Sequence, residues 1–256
     1  MNPAYLDGAS IWTIGTIIVL TIVVGSVFLQ IVLHRFLSGR FRSDHHEPVA
    51  AIFSIIGITY AVLLAFIAMV TWEGFNKARA ATFAEAGAVL ELQRLIGAMP
   101  PSQADTLHAA LATYVHSVVD REFPAQRRGL VDTSGEASLA AMHDALRSEA
   151  PNEVRAELLH ELGNLGAARQ ERLLATEPTV PGIVWAVLIA GGALLVGFSA
   201  LLAAESTWLH LAMTAALGAS GALIIVLIAS LNYPFGSEFG ISAHAFMMQP
   251  ALANMR

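Results

Sequence analysis

The sequence predicts an all-α integral membrane protein: four transmembrane helices, with a helical extramembrane domain inserted between the second and third. Three observations carry this. The 256 residues are 55% hydrophobic and only 13% charged, with mean hydropathy +0.61, against about 25% charged for an average soluble domain. Four runs of about 20 apolar residues, the length that crosses a hydrocarbon core, contain no Asp, Glu, Lys or Arg. Between the second and third of them, residues 72–180 show helical periodicity punctuated by proline. The chain divides accordingly into a first hairpin (1–71), the helical domain (72–180), a second hairpin (181–231) and a C-terminal tail (232–256).

The first run, 11–33, follows a start with one acid, Asp7, and no Lys or Arg. It lacks the basic n-region of a cleaved signal and reads as a retained span, with Trp12 as an interfacial anchor. The connection HRFLSGRFRSDHHE carries Arg35, Arg40 and Arg42. Asp44 and Glu47 have capping-box spacing, and Pro48 suits a first helical turn. The second run, 49–70, would extend about 33 Å as helix. It continues without a proline to Pro100, so one long rod is expected to about Ala98. On its apolar half, Ala50, Ser54, Gly57, Ala61, Ala65 and Ala68 form a stripe of small residues. Such a stripe lets helix backbones approach closely in lipid. It fits either packing against another span of the same chain or a position around a symmetry axis or pore. A second face carries Phe53, Ile56, Tyr60, Leu63 and Ile67.

The rod's polar half shows Phe83, Ala86, Leu90 and Ile96 as apolar positions. Ser102 and Asp105 have capping-box spacing for a second helix bearing Leu107, Leu111, Tyr114, Val118 and Phe123, with Pro124 as its stop and QRRGLVDTSG as a loop. A third helix is expected over 136–149. A fourth starts near Pro151, with Val154, Leu158, Leu162, Leu165 and Leu173 inward. EPTVP ends it. The third span, 182–202, contains GGALLVG, and the fourth, 209–231, places Ala215, Ala219 and Leu223 on one face. In the tail, Tyr233, Phe235 and Phe239 suit a membrane interface, and Ser242 suits a helix cap.

Charge narrows the functions. The formal net charge is −6, and the chain has no Lys/Arg-rich run, which disfavours nucleic acid and dedicated anionic-lipid binding. No cysteine is present, excluding disulfides and thiolate metal sites. Spans without Asp, Glu, Lys or Arg argue against a proton-coupled carrier or pump but not against a channel. His34, His45, His46 and Glu47 are donors suited to zinc, but a solvated loop with a helix cap explains them equally, and no metal or cofactor is expected. Glu85, Glu91, Arg79 and Arg94 on the rod read as a solvated or intersubunit face. Arg121, Arg127 and Arg128 with Glu122 read as surface charge beside a loop. Neither a phosphate loop nor a nucleophile elbow occurs, so an enzyme is not expected. The charges flanking the spans, Arg35, Arg40 and Arg42 on one side against Lys77, Arg79, Arg169 and Arg172 on the other, do not decide the orientation by count, and the Arg-dense short loop beside a Lys/Arg-free start leans towards an outside N-terminus.

Several fragments read together: a basic loop ending in His46-Glu47, GITYAVLLAFIAMVTWE, EAGAVLELQRLIGAMP, ATYVHSVVDREFP, RQERLLATEPTVPGIVW and LNYPFGSEFGIS. They resemble the bestrophin-like membrane family of bacteria over nearly the whole chain, most specifically at 60–73, 85–100, 122–124 and 234–236. Where the family often has Asn, Asp and Trp, this chain has His46, Asn232 and Phe123. The resemblance implies similarity to pentameric anion channels whose second transmembrane helix lines the pore. That places pore-lining candidates at Phe53, Gly57, Tyr60, Ala61 and Leu64. It also implies a homo-oligomer, a bacterial inner membrane location, lipid and chloride-like anions as partners, and a cytosolic helical domain, against the lean of the Arg-dense loop. A calcium-binding acidic cluster is not matched. The other reading is a non-conducting scaffold or sensor that recruits partners through its rod.

Overall fold

A computed structural model describes residues 11–37, 46–147, 153–199, 207–236 and 240–247, and among them every regular element is a helix. The chain forms two compact units. Among the described residues, one comprises those within 11–73 and 179–232, the other those within 74–178 and 233–247. A 51-residue helix, α2 (His46–Ile96), contributes to both.

The first unit contains α1 (Ile11–Leu37), the apolar half of α2, α7 (Gly182–Ser199) and α8 (Thr207–Asn232). All four are long and apolar enough to cross a membrane. Small residues set their spacing. A Cβ on Gly218 of α8 would stand 2.8 Å from Ser26 Oγ of α1, and one on Gly15 would stand 3.3 Å from Val226 Cγ1. The face of α8 that is buried is Thr214, Gly218 and Ala222, not Ala215, Ala219 and Leu223. Leu223 is exposed. One residue of phase separates the two stripes, and sequence spacing alone does not choose between them. On α7, the Gly191–Gly192 pair leaves room for the ring of Tyr60, as the GGALLVG segment suggests. Two polar clasps hold the helix ends. Asn232 Oδ1 accepts the Val180 N–H at 2.8 Å. A ring nitrogen of His210 lies 2.8 Å from the Ser199 carbonyl, and the Ser199 hydroxyl is 3.5 Å from Gln30 Oε1.

The second unit is built on the polar half of α2 with α3 (Pro101–Ser117), α4 (Phe123–Arg127), α5 (Glu136–Arg147), α6 (Glu153–Leu174) and α9 (His244–Met247). Its core takes Ala78, Val89, Leu92 and Ile96 from α2, Leu107, Leu111 and Tyr114 from α3, and Leu158, Leu162 and Leu165 from α6. Phe83, Leu90 and Val154 are not part of it and are exposed. Helix α3 starts at Pro101 with Pro100 as N-cap, so it begins ahead of Ser102 rather than at it. Proline's preset φ and missing N–H are enough at that position.

Pro124 does not end the second helix. A π turn, Val118–Glu122, leads directly from α3 into α4, and the Phe123 N–H reaches back to the Val118 carbonyl. Widening the turn puts Pro124 in the first turn of a new helical segment, where its missing donor is harmless. Phe235 is 2% exposed rather than interfacial. It and Phe246 meet Phe123 edge-on at 6.1 and 6.0 Å. Ser242 Oγ accepts the His244 N–H at 3.4 Å, at the start of α9. Asp44, His45, Pro151 and Phe239 lie outside the described residues.

Candidate functional site

Two constellations stand out, one in each unit. The first is the apolar half of α2. Tyr60 is 9% exposed and Leu64 4%, both packed with Leu188, Leu195 and Ile228. The Tyr60 hydroxyl donates to the Leu188 carbonyl at 2.8 Å, which satisfies it inside an apolar environment. Phe53 is half-buried against the same cluster. Gly57 is half-buried, and a Cβ there would meet only Leu195, at 3.7 Å. Ala61 is exposed, as are Ala50, Ser54 and Ala65 of the small-residue stripe. Of the five candidate positions, four therefore point at or beside the chain's own α7 cluster and Ala61 points away. The hydroxyls of Ser54 and Thr59 bond the backbone carbonyls four residues back, at 2.9 Å each. That hides their polarity within the helix.

The second constellation is a buried ionic brace in the other unit, and it overturns the surface reading of Glu85 and Glu122. Both carboxylates are fully buried, with Arg172 fully buried between them. Arg172 Nε donates to Glu85 Oε2, and its Nη2 donates to Glu85 Oε1 at 3.0 Å and Glu122 Oε2 at 2.6 Å. Its Nη1 donates to Gln126 Oε1 at 2.5 Å, and its guanidinium carbon lies 4.9 Å from the Phe123 ring centre. Arg169 joins Glu122 at 2.8 Å and the exposed Glu136 at 2.9 Å. The Tyr114 hydroxyl donates to Glu85 Oε1 at 2.7 Å, and the Gly135 N–H to Glu122 Oε1 at 3.0 Å. Gln126 completes the chain by donating to Thr176 Oγ1 at 2.8 Å.

In the buried centre two guanidinium charges face two carboxylates. Burial alone would weaken the charge on Arg169 and Arg172, but the carboxylates beside them outweigh it and hold both firmly protonated. Burial, then the negative charge of Glu85, pushes the Tyr114 hydroxyl well above the ordinary tyrosine range. Each guanidinium nitrogen of Arg172 faces an acceptor, whereas the buried Arg169 Nε has none. The arrangement locks α2, the π turn, α4 and α6 to one another and offers no acid or base to a substrate.

The brace had a signal in the sequence. On α6 the buried positions Leu158, Leu162 and Leu165 continue at the same three-and-four spacing to Arg169 and Arg172. On α2, Glu85 falls in phase with Ala78, Thr82, Val89, Leu92 and Ile96, all buried. A charged residue in phase with an apolar stripe is a candidate for a buried pair. Among the described residues, no group of His, Cys, Asp and Glu is arranged to hold a metal.

Among the described residues, four membrane-length apolar helices and no other regular element than helix define a multi-pass membrane protein. The family profile of the Bestrophin-like domain matches residues 20–246, and the chain belongs to that family. Two structures of point variants of a bacterial bestrophin homologue from Klebsiella pneumoniae share the fold. One has TM-score 0.73 at 16% identity, covering 93% of this chain and 98% of that one. The other has TM-score 0.70 at 15% identity with the same coverage. A further structure described as a membrane protein matches with TM-score 0.70 at 16% identity. No curated protein matches the sequence.

Proposed function

We propose that the chain assembles into a homo-oligomeric, passive anion channel of the bestrophin type, a pentamer in a bacterial inner membrane, with α2 as the pore wall. The observation that carries this reading is the open small-residue face of α2. Tyr60 and Leu64 pack against the chain's own helices, whereas Ala50, Ser54, Ala61 and Ala65 are exposed and uncovered among the described residues. Small side chains on an uncovered, uncharged helix face suit either close approach of a second copy or a narrow aqueous path. Phe53 and Gly57 sit at the edge of that face, and Tyr60 and Leu64 support it from behind. Chloride and similar anions are the substrates the family reading favours, and membrane lipid covers the large apolar face of Ile55, Ile58, Phe66 and Met69, each more than 60% exposed.

A second reading is a non-conducting scaffold or sensor, favoured by the unbroken 51-residue course of α2. The two separate on Ala61→Leu. In a channel, bulk on the open face changes chloride flux in a correctly assembled oligomer. In a scaffold there is no flux to change. An Ala61→Leu oligomer of unchanged mass whose flux equals that of the parent removes this face from the pore.

A further inference from the structure

The turn after α4 carries a feature that the channel reading does not use. Helix α4 ends in a two-bond reversal: the Gly129 N–H donates to the Gln126 carbonyl at 2.9 Å and the Leu130 N–H to the Ala125 carbonyl at 3.0 Å. Gly129 has φ 69°, the left-handed conformation this cap requires. Hydrophobic residues after such a cap usually fold back onto the helix. Here Leu130 is 57% and Val131 53% exposed. With Leu174, at 62%, they are the three most exposed large apolar side chains among the described residues of this unit. Arg127 and Arg128 precede them, both exposed, with no acid in the segment 127–131. Arg128 Nε bonds only the Pro124 carbonyl of its own turn, at 3.3 Å. The next acid, Asp132, turns its carboxylate to the Ser134 N–H at 2.7 Å.

The packing around this turn fixes where it lies along the chain. Gln126 bonds Thr176, and a small cavity is lined by Gln126, Gly129, Thr176, Tyr233, Pro234, Phe235 and Gly236. Thr176 lies six residues before Gly182, the first residue of α7. Tyr233 directly follows Asn232, the last residue of α8. Two of the segments that line this cavity are thus the ones that lead along the chain into α7 and out of α8.

We propose that the turn 127–131, with Leu174 beside Thr176, is a membrane-surface contact. Leu130 and Val131 enter the boundary between headgroups and acyl chains, and Arg127 and Arg128 engage lipid phosphates. Two basic and two apolar residues on one rigid turn match the two layers of a bilayer surface, and long arginine stems let the charge stay in the headgroup layer. The proposal depends on the chain spanning a membrane and is independent of whether it conducts.

The absence of cysteine makes the test direct. Leu130→Cys, labelled with an environment-sensitive fluorophore in full-length protein in liposomes, is compared with Glu157→Cys, an exposed position on α6. The expected result is quenching at position 130 by headgroup-level nitroxide lipid at least about twofold stronger than at 157, with weaker quenching by aqueous iodide. It should rise when about 30% phosphatidylglycerol is added to phosphatidylcholine, and lose that rise in the R127Q/R128Q background. Iodide quenching without lipid quenching would overturn the proposal. Shielding from both quenchers would also overturn it and assign the turn to a contact between copies. Lipid quenching unaffected by R127Q/R128Q and by phosphatidylglycerol would overturn the headgroup half.

Discussion

Replacing Arg172 by methionine tests whether the ionic brace is an energetic unit. The change keeps most of the side chain's length and removes its charge. Arg172 has no exposed surface and bonds Glu85 through both carboxylate oxygens, Glu122, and Gln126. Without it, Glu122 retains Arg169 and the Gly135 N–H, but Glu85 retains only the Tyr114 hydroxyl among the bonds described above. Removing one partner of a buried pair costs about 3–5 kcal/mol, because a desolvated charge is left behind. Loss of the contact with Phe123 adds on the order of 0.5–2 kcal/mol. Domain stabilities lie at about 5–15 kcal/mol, so the variant forfeits a large fraction of the total. At about 4–8 °C per kcal/mol for a domain of some 100 residues, the melting temperature in detergent should fall by at least about 12 °C. The double variant Arg172→Met/Glu85→Leu should recover part of the loss, since an apolar replacement leaves no unpaired charge at that position. A single variant that loses less than about 1 kcal/mol, or a double variant whose loss is the sum of the two singles, would refute the brace as a coupled unit.

Three further outcomes follow from particular contacts. Gly218→Val would place a Cβ 2.8 Å from Ser26 Oγ, which is already bonded to the Ile22 carbonyl at 2.7 Å. Overpacking of this kind costs about 1–3 kcal/mol, and Ser26→Gly should restore much of it in the same thermal assay. Gly191→Val would place a Cβ 2.7 Å from the Tyr60 ring and should break the Tyr60–Leu188 bond, lowering thermal stability by more than Tyr60→Phe does. Above pH 10, Tyr114 ionises in the unfolded chain, while in the folded chain burial and Glu85 keep its proton on. The unfolded state then binds fewer protons, so stability falls as pH rises. Tyr114→Phe should flatten the melting temperature between pH 9.5 and 11 relative to the parent.

The four spans were legible because lipid imposes a length and an apolarity that few other environments require. The GGALLVG contact was legible for a related reason, since glycine pairs in a span have few uses other than close approach. The brace was not read correctly, because Glu85 and Arg172 are the same chemical groups as the exposed Glu91 and Arg94, which pair on the surface of α2 at 2.9 Å. Only their phase relative to Val89 and Leu165 distinguishes them. Pro124 misled because a proline normally ends a helix, and a π turn that absorbs it leaves no mark in hydrophobic periodicity. Phe235 misled because an aromatic just past a span serves equally well as an interfacial anchor or a core residue. On α2, spacing identified the small-residue stripe, but which side of it the chain itself would cover depended on the partner helix. Tyr60 and Leu64 took the covered side and Ala61 the open one.

Chloride efflux from liposomes containing the purified protein alone tests the central claim most directly, with the oligomer's mass determined on the same sample. The account predicts a single oligomeric species, of five copies, and passive chloride efflux that needs no proton gradient and changes with Ala61→Leu. A well-folded oligomer that leaves the liposomes as tight to chloride as protein-free controls, across pH and calcium, would contradict the channel and leave α2 as the rod of a scaffold.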